Sequence, residues 1–338
     1  MPRNQQILLD NRPTGEAATS NFKLATTDTP ALQDGEVLVQ HHFLSLDPYM
    51  RGRMNDSKNY AAAQPLGEVM IGGTVGEVVE SRSPKFTLGD KVVGMGGWQQ
   101  YSVVKADQPG ALRKVDTAHV PLSHYLGAVG MPGVTAYYGL LKIIEPKAGQ
   151  TVVVSAATGA VGSAFAALAK RRGCRTVGIA GGPEKCSYAV DALGFDACVD
   201  YKLHKDAASL SVALAQACPQ GIDGYFENVG GMVLNAVLPL MNDFGRIAVC
   251  GMIAGYDGQP TPLTHPALIL RSRLRVQGFI VSEHMEVWPE ALKELGTLVG
   301  SGKLRPRESV AQGLEAAPEA FIGLLKGKNF GKQVVKLV

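Results

Sequence analysis

The chain has 338 residues, 46% hydrophobic and 19% charged, so disorder is excluded as its main state and two globular domains are expected at roughly 150 residues each. Forty glycines without a Gly-X-Y period exclude collagen and suggest tight turns or close approach of backbone to a ligand. A net charge of only +3 argues against a nucleic-acid binder.

The local basic clusters, Lys170-Arg171-Arg172 and Arg271, Arg273 and Arg275, read as a solvated face or the basic end of a helix. Five cysteines (Cys174, Cys186, Cys198, Cys218, Cys250) contain no Cys-x-x-Cys pair, which fits a reducing compartment. The start lacks the apolar run of a signal peptide. The uncharged stretches 117–141 and 148–169 are broken by His, Pro, Gly and Ser, unlike the ~20 predominantly apolar residues of a membrane span. A cytoplasmic protein with no membrane partner is expected.

The first third of the chain reads as short strands and turns. Residues 36–40 and 72–80 are rich in β-branched residues, with Pro48, Pro65, Pro84 and Gly94 among the punctuation. This predicts a small barrel-like or sandwich domain over 1–123. From 124 to 300 the period changes. Thr151-Val152-Val153-Val154 is a continuous apolar strand, followed by a glycine turn and a small-residue helix ending near Ala169. Strands at 175–180, 197–200, 224–229, 246–250 and 274–281 are expected to alternate with helices, including one over 184–193. That order predicts a doubly wound parallel sheet. The tail, 301–338, ends in a strand (333–338) expected to return to the first domain.

The segment Ala157-Thr158-Gly159-Ala160-Val161-Gly162 sits between strand and helix, one glycine short of the full dinucleotide fingerprint. Gly159 would let backbone approach a pyrophosphate, and Gly162 would let helix and strand pack closely. At the end of the next strand an NAD site wants an acid for the ribose. Here Ala180-Gly181-Gly182 leave room for a 2′-phosphate, which Lys185 can neutralise. Glu184 is its rival, but neighbours on a helix point about 100° apart, so one of the two faces the pocket. NADP is the expected cofactor.

No zinc-ligand set is expected. All five cysteines lie beyond residue 173, and His41 and His42 are strand neighbours that point to opposite faces. Activation by hydrogen bonding alone suits a conjugated carbonyl, because hydride addition at the β-carbon gives an enolate that one or two donors can stabilise. Tyr49 and Tyr256, each in a loop marked by glycine or proline, are the candidate donors, with two partly exposed surface tyrosines as an equally open reading.

Together these residues resemble the zinc-independent medium-chain dehydrogenases/reductases, in the leukotriene dehydrogenase/prostaglandin reductase and alkenal double-bond reductase branch. The matching blocks include Asp47-Pro48-Tyr49-Met50-Arg51, Gly130-Met131-Pro132-Gly133, Glu227-Asn228-Val229-Gly230-Gly231 and Lys328-Asn329-Phe330-Gly331. The resemblance implies a GroES-like β-barrel domain plus a Rossmann domain, a homodimer, and NADPH as cofactor. It implies that Gly159, Ala160, Val161 and Gly162 hold the pyrophosphate, that Lys185 and Tyr201 contact the 2′-phosphate side, and that Asn228 lies near the ribose. Cys250, Gly251, Met252, Ile253, Ala254, Gly255 and Tyr256, with Phe279, Ile280 and Val281, would flank the nicotinamide, and Asn329 would close the site. Tyr256 would stand beside the enone oxygen and Tyr49 would line the pocket. The rivals left open are an NADPH:quinone reductase of the same superfamily and a non-catalytic NADPH- or RNA-binding protein.

Overall fold

The computed structural model describes residues 2–108 and 110–338. The chain divides into two compact units, one up to Leu126 together with Glu308–Val338, the other Gly127–Arg307.

In the first unit, β1 (Arg3–Leu9) and β2 (Phe22–Asp28) pair antiparallel along their whole length. The ten-residue β3 (Glu36–Ser45) is followed by a short helix, α1 (Tyr49–Arg53), begun by Pro48 with its preset φ. Strands β4 (Thr74–Ser81), β5 (Lys91–Gly94), β6 (Tyr101–Lys105) and β7 (Leu112–Lys114) complete the N-terminal part. β3 pairs with both β4 and β6, and its register against β4 shifts between His41 and Phe43. A bulge of this kind bends a long strand. It leaves His41 buried and His42 half-buried.

The second unit opens with α2 (Met131–Tyr138) and a π-helical turn, Gly139–Ile144. Then come β8 (Thr151–Ser155), α3 (Ala160–Arg171), β9 (Arg175–Ala180), α4 (Pro183–Asp191), β10 (Ala197–Asp200), α5 (Ala207–Ala217) and β11 (Ile222–Glu227). The unit continues through α6 (Gly231–Val237), β12 (Met241–Val249), α7 (Ala267–Arg271), β13 (Arg275–Gly278) and α8 (Trp288–Gly300). All six strands are parallel, in the order β10-β9-β8-β11-β12-β13. Every residue of β8 is buried, as its unbroken apolar run requires of a central strand.

Three strands differ from expectation at their ends. β11 stops at Glu227 because the Val229 amide donates to the Glu227 carboxylate instead of a neighbouring strand. β12 starts five residues early, at Met241, around an irregularity in its register with β11. β13 ends at Gly278, and Val281 opens a 3-10 turn whose carbonyl accepts from Trp288 Nε1 at 3.2 Å.

The chain then returns to the first unit through β14 (Glu308–Gln312), α9 (Ala317–Leu325) and β15 (Lys332–Lys336). β15 lies between β14, parallel to it, and β3, antiparallel, so the sheet runs β14-β15-β3-β4-β5-β7. Its core is aromatic: Phe22 stacks on Trp98 at 5.3 Å and Phe321 meets Trp98 edge-on at 5.6 Å. The core around the parallel sheet is mostly aliphatic, with Val153, Val177, Ile179, Leu210, Leu214 and Ile247 among its buried members. Among the described residues no helix is long and apolar enough to cross a membrane.

Candidate functional site

The strand order of the second unit reverses between β8 and β11: from β8 the chain builds outward through β9 and β10, then returns to place β11 on the other side. Connections leaving the two strands diverge there, and the crevice outside their carboxyl ends is where such folds bind ligands. Ser155 ends β8 and Glu227 ends β11. Ser155 Oγ donates to Glu227 Oε1 at 2.9 Å and accepts from the Asn228 amide at 2.8 Å, while Asn228 Nδ2 donates to the Ser155 carbonyl at 2.8 Å. The Val229 amide donates to the same carboxylate oxygen at 2.5 Å. Burial pushes the Glu227 carboxyl pKa above its ordinary value, against the pull of these donors. Glu227 Oε2 and the nearby Tyr225 hydroxyl are buried without well-formed hydrogen bonds of their own.

The glycine turn rests on this lock. Ala156 takes the left-handed conformation at φ +52, and the Ala157 amide donates to the Ile179 carbonyl at 3.1 Å, which ties the turn to β9. Gly159 caps α3, and no side chain satisfies the amides of the first turn, which begins Ala160, Val161, Gly162. A Cβ on Gly162 would lie 2.5 Å from the Ala157 carbonyl oxygen and 2.6 Å from that of Ala156, so only glycine lets the helix sit this close to the strand end. Free amides and the positive end of a twelve-residue helix fit a pyrophosphate.

At the end of β9 the groups fit a further phosphate. Gly182 has φ +98, and its amide donates to Asp200 Oδ1 at 2.8 Å; the same oxygen accepts from the Lys202 amide at 3.0 Å. A Cβ on Gly181 would meet Tyr201 Cε1 at 2.9 Å and Lys202 Cε at 3.0 Å, so both side chains pack over bare backbone. Lys185 is half-buried in the first turn of α4, and burial, followed by the charge of Lys202, lowers its pKa. A lysine whose charge is disfavoured by a second ammonium group suits an anion. Glu184 points elsewhere, exposed and paired with Arg307 at 3.6 Å.

The loop after β12 folds onto the same strand ends. The Cys250 amide donates to the Glu227 carbonyl (2.9 Å), the Ile253 amide to that of Asn228 (3.2 Å) and the Ala254 amide to that of Val229 (3.0 Å). Tyr256 turns back over this loop, its hydroxyl oxygen accepting from the Met252 amide at 3.4 Å. A Cβ on Gly251 would lie 2.9 Å from that oxygen, and a Cβ on Gly255 would crowd Thr261. Burial pushes the Cys250 thiol up to about 12. After β13, the Phe279 amide reaches the Val249 carbonyl and its ring lies 5.3 Å from Tyr138, which stacks on His284 at 4.0 Å. Ile280 is partly buried and Val281 fully buried.

Tyr49 and Asn329 belong to the first unit. Tyr49 opens α1, and burial, then the charge of Asp47, raises its hydroxyl pKa. Behind it Lys332 Nζ donates to Asp47 Oδ1 at 2.8 Å and to the Leu46 carbonyl at 2.7 Å, and Ser45 donates to the other Asp47 oxygen. Asn329 Nδ2 donates to the Gly331 carbonyl at 2.7 Å within its own loop.

Sequence reasoning gave no role to the Ser155–Glu227 pair, Asp200, Lys202, Tyr138 or His284. A lone glutamate closing the buried run of β11 was the available signal for the first. For Lys202 the signal was its place directly after Tyr201.

A parallel sheet in this order, with a glycine turn at its reversal point, defines a dinucleotide-binding protein. Residues 5–112 match the family model described as "N-terminal domain of oxidoreductase", and residues 160–297 that described as "Zinc-binding dehydrogenase". The NADPH-dependent curcumin reductase of Escherichia coli (strain K12) is 46% identical over 99% of this chain and 97% of its own length. The 2-alkenal reductase (NADP(+)-dependent) of Nicotiana tabacum is 43% identical over 98% of this chain and 97% of its own. The crystal structure of CurA in complex with NADPH from Vibrio vulnificus superposes with a TM-score of 0.91 at 45% identity, covering 99% of both chains. The chain belongs to the medium-chain dehydrogenase/reductase family, in its zinc-independent branch. The description of the second family model implies zinc, and the residues do not fit it. Among the described residues no three His, Cys, Asp or Glu side chains gather to hold a metal, and His41 Nε2 faces Ser102 Oγ at 2.9 Å.

Proposed function

We infer that the protein is an NADPH-dependent reductase of the C=C bond of α,β-unsaturated aldehydes and ketones. The observation that carries this is likeness along almost the whole chain to reductases named for NADP(H) and, in one case, for 2-alkenals, which are α,β-unsaturated aldehydes. NADPH, when bound, supplies the hydride for the β-carbon.

The chain's own residues hold and orient. The amides from Ala160 to Gly162 take the pyrophosphate, and Lys185 and Tyr201, helped by Lys202, take the 2′-phosphate. Asn228, fixed to Ser155, meets the ribose. Residues 250–256 and Phe279, Ile280 and Val281 wall the nicotinamide. The Tyr256 hydroxyl donates to the substrate oxygen where enolate charge develops, Tyr49 seats the substrate, and solvent or a tyrosine-linked relay protonates the α-carbon.

The test is cofactor oxidation with NADPH and NADH separately, offering a medium-chain enone, its saturated ketone and a quinone. NADPH consumption with the enone and not the ketone is expected; turnover of the quinone alone would transfer the reading to quinone reduction. Tyr256→Phe should lower kcat by about a hundredfold with NADPH affinity nearly intact. Equal loss of both, or unchanged turnover, removes that role.

The protein acts on a small molecule in the cytoplasm, where five free thiols persist. It works as a homodimer. The edge strand β13 is mostly exposed and carries exposed Val276, and Phe244 and Leu270 are exposed on neighbouring elements; an open strand edge with apolar side chains among its arginines suits pairing with a second copy. Sedimentation at twice the 35.7 kDa chain mass is the expected result, and a single-chain mass rejects it.

A further inference from the structure

Cys186 and Cys198 take no part in the proposed reaction, yet they meet at the loop assigned to the 2′-phosphate. Cys186 is the fourth residue of α4 and Cys198 the second of β10. Their Sγ atoms are 3.1 Å apart, with the Cys198 thiol donating. Both are free and partly exposed, whereas Cys174 and Cys218 are buried. A disulfide needs about 2.05 Å between sulfurs, so an approach of about 1 Å closes the pair.

The environment divides the two thiols. The hydrogen bond from Cys198 lowers the pKa of Cys186, with help from the Ala180 amide, while the same bond and burial raise that of Cys198. That division, with Cys186 in the first turns of α4, suits Cys186 to the role of nucleophile and Cys198 to that of resolving thiol.

The pair is wired to the phosphate loop at both ends. Lys185 precedes Cys186 on α4. Asp200, two residues past Cys198, accepts from the Gly182 and Lys202 amides. Drawing the sulfurs together would pull the first turns of α4 toward β10, and Lys185 with them.

We propose that Cys186 and Cys198 are a thiol–disulfide site oxidised by hydroperoxides, and that closing it weakens binding of NADPH relative to NADH. The Cys186 thiolate attacks the hydroperoxide oxygen, breaking the O–O bond to leave an alcohol, or water from hydrogen peroxide, and a sulfenic acid. Cys198 then attacks the Cys186 sulfur, expelling water. Overall two thiols and one hydroperoxide give one disulfide, one alcohol and one water, with two electrons passing from sulfur to oxygen. The effect on cofactor binding rests on the reading that Lys185 holds the 2′-phosphate.

The experiment treats the reduced full-length protein with hydrogen peroxide, removes the excess, and combines peptide mapping without reductant with titration of NADPH and NADH by cofactor fluorescence. Expected are a peptide linking Cys186 to Cys198, an NADPH Kd raised about tenfold, the size of one weakened hydrogen bond to a charged group, an unchanged NADH Kd, and reversal by dithiothreitol. Cys186→Ser and Cys198→Ser should each keep the reduced protein's NADPH Kd after peroxide. No linked peptide while other thiols oxidise, a link with both Kd values unchanged, or a peroxide-shifted Kd in both variants would each overturn the proposal. Neither readout requires turnover, so failure to reduce an enone would count against the proposed function alone.

Discussion

Asp47 and Glu227 are the two buried acidic residues among those described, one in each unit, and they are stabilised in opposite ways. Asp47 has a cation: Lys332, itself buried, donates to it at 2.8 Å from 285 residues away in sequence. Glu227 has hydroxyl and amide donors instead, Ser155 and Val229 among them. The ion pair fastens the returning tail strand to the end of β3, with the two opposite charges buried against each other. The glutamate organises a strand crossing and tolerates a proton, which burial favours. A buried acid therefore indicates little until its partners are known.

Lys332→Met breaks the comparison where the effect is largest. It leaves Asp47 buried without its cation and should cost about 3–5 kcal/mol, read as a lower urea midpoint. Replacing Asp47 with Leu in the same chain should recover much of that, because a filled apolar pair avoids the desolvation of two charges. A loss of under about 1 kcal/mol for Lys332→Met would mean the pair holds little.

Glu227→Gln sharpens the comparison with a smaller effect. Its oxygen keeps the bonds from Ser155 and Val229, so the loss at mildly acidic pH should be under about 1 kcal/mol. The folded pKa of Glu227 is raised, so the folded protein binds this proton more tightly than the unfolded chain does. Its contribution is full below the ordinary glutamate range and declines as pH rises from that range through the raised folded value. The glutamine variant should lack that decline, measured as urea stability across the window. Parallel profiles for the two proteins would show that Glu227 is ionised in the folded state like any exposed glutamate.

Much of the second unit was legible in sequence because its signals are local. The apolar run of β8, the glycines at 159 and 162 and the strand–helix alternation each follow from neighbouring residues and one helical or strand period. The divergent directions of Glu184 and Lys185 followed from helical geometry, and the structure has Glu184 exposed and Lys185 half-buried. The basic run at 170–172 closes α3 and pairs with Asp196 and Glu294, as the end of a helix should. Strand ends were less legible: where β11 and β13 stop depends on a carboxylate and an indole that capture main-chain groups.

By itself, then, the sequence determined the layered α/β class and the glycine turn, because these are set by residue type and short-range spacing. Tertiary structure alone decided which polar groups meet: Ser155 with Glu227 across 72 residues, Asp47 with Lys332 across 285, and Cys186 with Cys198 between a helix and a strand. The physical reason is that hydrogen bonds and ion pairs act over about 3 Å, and which distant segments come that close is set by strand order and register, which no local pattern encodes.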